Sequence, residues 1–343
     1  MANKPVTITD VAVSAGVSVS TASKALCGKG RMGEDTRSRI VAIAKNLGYK
    51  PNRAAQALSR RTVTVAALLS KSPVEVQRIL RKGLADAFEQ YASFNVNFCL
   101  YEYEEDSGEH GLIGKLSEIQ GKADILIMQC GDMLSERSSK LLEANNLPVV
   151  TLVSGATQLS NAVTSVVVNA ETVGKVAAQF LSMTGASHTV IFAGRPGIYI
   201  HERNIFGFRG AAEQYGLTME GVYYTEDKWD KAYACAKQAF GAHPEIDGIF
   251  ISSYLAPSVC NYLKEQGLAD KVKVIGVDLY QDIVDCLNDG SLNATIYQNQ
   301  YLQARTAVDI AMDCISVGYR ILPPVRIKPE LVISSNLDCY LIE

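Results

Sequence analysis

The sequence predicts an α/β protein in two unequal parts: a small all-α module at the amino terminus, then a larger body of parallel sheets with crossover helices. In the first sixty positions, apolar residues recur at helical spacing. Beyond residue 62, the short β-rich runs VTVAALL, NVNFCLY, ADILIMQ, PVVTLV, TSVVV, HTVIFAG, DGIFIS, VKVIGV and NATIY alternate with helical segments. Charge divides at the same place. Of 33 Lys/Arg and 36 Asp/Glu in the chain, residues 1–62 hold eleven and three. A basic module on an acidic body predicts that the first part alone meets a polyanion. Nine or so strands divide more naturally into two sheets than one, with crossings expected near Asn161, Asn293 and Pro323.

The helical module reads as three short elements. Thr7 and Asp10 have capping-box spacing, Ile8, Val11, Ala12 and Ala15 form one stripe, and Gly16 stops the helix. Ser18 caps a second helix whose Ala22, Ala25 and Leu26 point inward, leaving Ser20, Thr21 and Lys24 outward. A third follows the turn from Gly28 to Gly33, with Ile40, Ile43, Ala44 and Leu47 inward and Gly48 as its cap. Residues 52–59 read as one further short helix after Pro51, too short to be stable alone in water.

Composition narrows the function classes. No apolar run reaches the roughly 20 residues of a membrane span, and MANKPVTITD has no secretory pattern, so no membrane partner and a cytoplasmic location are expected. The eight cysteines, 27, 99, 130, 235, 260, 286, 314 and 339, form no Cys-x-x-Cys pair and are expected to be reduced, without zinc or disulfides. Neither phosphate-binding glycine loop occurs, and the four histidines are dispersed, so neither catalysis, cofactor nor metal is expected.

Several motifs sit at fixed offsets: Asp10-Val11-Ala12, Ala15-Gly16-Val17-Ser18, Thr21 with Ser23, Thr36-Arg37, Gly48-Tyr49 and Pro51-Asn52-Arg53. Through them the segment from Thr7 to Leu58 resembles the headpiece of the lactose-repressor (LacI/GalR) family of bacterial transcriptional regulators. The resemblance implies a helix-turn-helix headpiece (1–50), a hinge helix and linker (51–62), and an effector-binding and dimerisation core (63–343). That core would be like a periplasmic binding protein, with two Rossmann-like lobes: an N-lobe of about 63–161 and 294–322, and a C-lobe of about 162–293 and 323–343.

It also implies a homodimer that binds double-stranded operator DNA, a palindrome, usually as a repressor. Val19, Ser20 and Lys24 fall at base-reading positions; a lysine there meets guanine O6 and N7, although Lys24 also suits a solvated surface. Ser18, Thr21, Ser23, Thr36, Tyr49, Asn52 and Arg53 would anchor phosphates, a role compatible with helix capping. Leu58, with Ala55 beside it, would wedge the minor groove, the alternative being packing on its own core.

For the effector, a sugar or related metabolite, the resemblance points to Asp278, Gln298 and Trp229; Arg203, one step after the family's arginine position, and Ser253, where the family pattern has another residue, are the further candidates. Asp278 and Gln298 serve equally as strand-end caps, and Trp229 as rim packing. The sequence departs from the family pattern at Val153, Glu202, Ser253 and Tyr254, which predicts a pocket with fewer hydrogen bonds. A core that no longer senses a small molecule and answers to a protein partner is the alternative.

Overall fold

The computed structural model describes residues 6–26, 32–47, 62–104, 107–129, 134–144, 146–155 and 159–341. Residues 1–60 and 61–343 form two compact units.

In the first unit, α1 (Ile8–Ala15), α2 (Val19–Leu26) and α3 (Glu34–Asn46) follow one another. The Asp10 amide donates to Thr7 Oγ1 at 3.3 Å while the Thr7 amide donates to Asp10 Oδ2 at 2.7 Å, closing the capping box. Gly16 leaves α1 at φ +64°, a conformation that costs a glycine little, and its N–H reaches the Ala12 and Val13 carbonyls. Val11, Ala12, Ala15, Ala22, Ala25, Ile40 and Ala44 are buried together, with Ile8, Val17, Leu26, Met32 and Ile43 against them. Alanine predominates because three short helices close a core only if they approach closely. Arg39 Nη2 donates to the Ala15 carbonyl at 3.3 Å, tying α3 to the end of α1. Leu47, expected inward, is the residue after the last turn of α3 and is exposed.

The second unit contains β1 (Val63–Ser70), α4 (Val74–Glu89), β2 (Val96–Tyr103), α5 (Gly108–Ile119), β3 (Ile125–Met128), α6 (Glu136–Ala144), β4 (Val149–Leu152) and β5 (Ala162–Val168). There follow α7 (Ala170–Met183), β6 (His188–Ala193), α8 (Tyr199–Tyr215), β7 (Thr218–Tyr224), α9 (Trp229–Ala242), β8 (Gly248–Ile251), α10 (Ala256–Glu265) and β9 (Lys273–Val277). The chain ends with α11 (Gln281–Asn288), β10 (Ala294–Tyr297), α12 (Gln300–Val317), β11 (Val325–Ile327), β12 (Glu330–Val332) and a 3₁₀ turn.

Two six-stranded sheets result, in the orders β11-β5-β4-β3-β1-β2 and β12-β10-β9-β8-β6-β7, with the same winding. Every pairing is parallel except β10 with β12. Central strands such as β1 are buried on nearly every residue, because helices cover both faces of a parallel sheet. The strands beyond the nine apolar runs, β7, β11 and β12, all lie at sheet edges, where half-exposure removes the need for a continuous apolar run.

The three crossings lie one strand later than expected. β5 and β11 belong to the first sheet and β10 to the second, so the chain crosses between β5 and α7, between β10 and α12, and between β11 and β12. Asn161 and Asn293 begin strands rather than change sheets. Asn161 Nδ2 donates to the carbonyls of Leu142 and Leu147 at 3.1 and 2.6 Å, and Asn293 Oδ1 accepts from the Val274 amide at 2.7 Å. The Pro323 carbonyl likewise accepts from Thr164 Oγ1 at 2.8 Å, holding the start of β11 beside β5. Among the described residues no helix is long and apolar enough to cross a membrane.

Candidate functional site

Between the two sheets of the core lies a cavity of about 740 Å³. Its walls are the residues that follow the carboxyl ends of parallel strands: Gln129 after β3, Val153 after β4, Arg195 after β6, Glu226 and Asp227 after β7, Ser252 and Ser253 after β8, Asp278 after β9 and Gln298 after β10. Gln300 and Gln303 from the first turn of α12 line it as well, as do His201 and Tyr254. Loops leaving adjacent strand ends splay toward the same space, which makes this edge the ligand side of such sheets.

Asp278 is 7% exposed and leaves β9 at φ +70°. Its Oδ1 accepts from Gln298 Nε2 at 2.8 Å and from Gln300 Nε2 at 2.5 Å. Burial raises its carboxyl pKa above the usual carboxylate range, while these two donors oppose that rise. In the lining of the same cavity, buried Ser252 Oγ, Ser253 Oγ, Gln129 Oε1, Gln300 Oε1 and Gln303 Oε1 have no hydrogen-bond partner among the described residues. A buried polar atom without a partner costs roughly 1–3 kcal/mol, so five around one cavity describe a lining made for a hydrogen-bonding guest.

The second pole is Arg195, His201 and Asp227. Arg195 Nε donates to Asp227 Oδ2 at 3.1 Å. His201 Nδ1 lies 3.1 Å from the Ser252 carbonyl, which accepts its proton, and Nε2 lies 3.9 Å from Asp227 Oδ1. Burial pushes the imidazole pKa down, more than the Asp227 charge and the Ser252 hydrogen bond pull it up. A Cβ on Gly194 would stand 2.2 Å from His201 Nε2 and 2.4 Å from Asp227 Oδ1, so only glycine permits this cluster.

Asp278, Gln298 and Ser253 are thus brought together, and Arg203 and Trp229 are not. Arg203 pairs with Glu171, lies 4.5 Å over the Phe206 ring and faces a neighbouring cavity of about 320 Å³. Two residues along a helix are about 200° of rotation, so with His201 inward Arg203 turns away. Trp229 opens α9 outside the cavity wall at 42% exposure, its carbonyl accepting from Ser258 Oγ at 2.7 Å. Glu202 is engaged by the Gly197 amide at 3.0 Å and the Tyr224 hydroxyl at 3.1 Å. The pocket is therefore not depleted of polar groups, as the departures at Val153, Glu202, Ser253 and Tyr254 suggest. Arg195, His201, Asp227, Gln129, Gln300 and Gln303 supply them, and Gln129, Arg195 and Gln300 share one signal in the sequence: a polar residue at the end of a β-run or within three places of it.

In the headpiece, Val19, Ser20 and Lys24 are exposed on α2 while Ala22 and Ala25 are buried behind them. Val19, a β-branched apolar residue, is 44% exposed. Ser18 Oγ accepts from the Thr21 amide at 3.2 Å and lies 2.9 Å from Thr21 Oγ1, fixing the start of α2. Ser23 and Thr36 are half-buried. Tyr49, Asn52, Arg53, Ala55 and Leu58, with Gly28 and Gly48, lie outside the described residues.

Residues 7–52 match the model of the bacterial regulatory proteins of the lacI family, and residues 65–318 match the periplasmic binding protein domain. The chain belongs to the LacI family. Catabolite control protein A of Priestia megaterium is 24% identical over 80% of this chain and 82% of its own. The transcriptional regulator MalR of Streptococcus pneumoniae is 26% identical over 77% and 81%. Among solved structures, a periplasmic solute binding protein of Actinobacillus succinogenes with bound D-allose superposes with a TM-score of 0.73 at 20% identity, covering 81% of this chain and all of that one. As a LacI-family member the chain is a transcriptional regulator, with a DNA-binding headpiece and a core of the periplasmic-binding-protein fold.

Proposed function

We propose that this regulator is a homodimeric repressor that acts in the cytoplasm on a near-palindromic operator, and that a sugar or closely related polyol in the core cavity controls its affinity for that operator. The observation that carries this reading is the set of unpartnered amide and hydroxyl oxygens in the lining of the cavity that holds buried Asp278. Amide and carboxylate oxygens accept from ligand hydroxyls, while the serine hydroxyls and Arg195 donate in return. The solute binding protein of like fold holds D-allose, a ligand of the same hydrogen-bonding type. A cavity so furnished favours a small polar molecule over a protein partner, and a binding protein over a catalyst. Lys24, Ser20 and Val19 would read bases, with Ser18, Thr21, Ser23, Thr36, Tyr49, Asn52 and Arg53 on phosphates and Leu58 with Ala55 in the minor groove. One headpiece contributes few base contacts, and useful specificity needs two.

The test is selection of the preferred duplex from a random pool, followed by titration of that duplex at fixed salt with and without D-allose and a panel of aldoses and polyols. A palindromic consensus whose affinity one of these compounds changes about 5- to 150-fold is expected, the range of a coupling of about 1–3 kcal/mol. A consensus that no polyol shifts would remove the effector reading and leave the DNA reading intact.

A further inference from the structure

At the opposite edge of the second sheet, where its strands begin, four side chains converge. His188 Nδ1 lies 2.7 Å from Glu220 Oε1, and His243 Nδ1 lies 3.3 Å from Glu220 Oε2 and 3.2 Å from Glu245 Oε1. His188, Glu220 and Glu245 each offer a ligand atom within 4.8 Å of the others. We infer that this cluster is a zinc site, held by His188, Glu220 and Glu245, with His243 beside the two carboxylates.

Three features support it. A tetrahedral zinc with bonds of about 2.0–2.2 Å sets its ligand atoms about 3.3 Å apart, and one ligand atom from each of His188, Glu220 and Glu245 already falls within 4.8 Å of the others. Glu220 is the extra residue of a β-bulge: Met219 pairs with Thr189 and Gly221 with Val190, so Glu220 is left out of the ladder. A bulge re-aims a side chain, and here it delivers the least exposed carboxylate of the group, 13% accessible, between two imidazoles. The charges also close. Among the described residues the ion-pair partners of Glu220 and Glu245 are these histidines alone, and nearby Asp247 is occupied by the Ser187 and His188 amides at 2.8–3.0 Å. Two carboxylates and two neutral imidazoles are balanced by one divalent cation, and a mixed nitrogen and oxygen set suits zinc. The ion would pin the starts of β6 and β7 to the turn before β8, far from the cavity at the other strand ends, so its role is structural.

Full-length protein stripped with chelator is dialysed against zinc chloride, and bound zinc and the unfolding temperature are measured. One zinc per chain and a raised unfolding temperature are expected. Glu220→Gln, which keeps a hydrogen bond to His188 but loses the charge, and His188→Ala should each weaken zinc binding at least tenfold. Should either fail to fold, Glu245→Gln, at an exposed position, carries the same expectation. The cobalt(II) form should show nitrogen and oxygen ligation with no thiolate charge-transfer band. No bound zinc, zinc unaffected by these substitutions, or a thiolate band overturns the inference and leaves an ion-pair cluster only.

Discussion

Asp278 combines near-complete burial with two amide donors, and the two influences act oppositely on its proton. Burial wins, so the folded state keeps that proton to higher pH than the unfolded chain does. The stability tied to this group is therefore fully present below the ordinary carboxylate pKa, near 4, and is lost as pH rises through the raised folded value. His201 acts in the other sense: its depressed pKa means stability present above the ordinary imidazole value and lost as pH falls below it. Comparing Asp278→Asn with wild type isolates the first effect. Urea midpoints should show the variant gaining on wild type as pH rises from about 4, while effector affinity drops by tenfold or more; a pH-independent difference would contradict the assignment. At the DNA face, Lys24→Ala should cost about 1–3 kcal/mol on operator and far less on random duplex at equal salt, in filter binding or fluorescence anisotropy. Equal losses on both would reduce Lys24 to a solvated surface charge. The outward positions of α2 were legible because helical periodicity separates them from Ala22 and Ala25. Arg195 and His201 were not, because only the FAGRPG loop and the first turn of α8 decide which way they face.

The paired helices α7 and α8 approach backbone to backbone. A Cβ on Gly174 would meet the Asn204 carbonyl oxygen at 2.0 Å, and one on Gly207 would meet the Glu171 carbonyl oxygen at 2.1 Å. Neither neighbour is a flexible side-chain end, so the helices themselves would have to part. Gly174→Ala should destabilise the protein by about 1–3 kcal/mol in urea or thermal unfolding, whereas an unaltered midpoint would mean that the pair separates freely. Because α8 begins at the cavity with Ile200 and His201, that parting should also weaken effector binding. Elements with a continuous apolar run or a clean helical stripe were readable one by one. Edge strands β7, β11 and β12 were less so, since a strand covered on one side obeys a weaker pattern.

Across the whole core, three chain crossings join the lobes, β5 to α7, β10 to α12 and β11 to β12, and the second of them lines the cavity with Gln298 and Gln300. Val153 and Asp278 occupy matching places beside them, each leaving its strand with positive φ, +69° and +70°, and each donating its N–H to the neighbouring strand at 3.0 Å. For a β-branched residue this conformation costs roughly 1–2 kcal/mol, strain of the kind that accumulates where a protein moves. Closure about the crossings predicts a smaller radius of gyration by small-angle scattering once the cavity is filled, and no change in Asp278→Asn at the same ligand concentration. An unchanged radius in wild type at saturation would rule out closure as the signal.

Local rules acting on neighbouring residues are enough to settle the headpiece helices with the capping box and Gly16 stop of α1 and the Ser18 start of α2, the alternation of strand and helix, the division of charge, and the motif that marks a LacI-family regulator. They also mark Asp278, Gln298 and Ser253 as strand-end positions. The tertiary structure alone decides which sheet β5, β10 and β11 join, because that depends on which edge each strand pairs with. It alone turns Arg203 and Trp229 away from the cavity and gathers Gln129, Arg195, His201, Asp227, Gln300 and Gln303 around it, since residues far apart in the chain meet only when two separately wound sheets face each other.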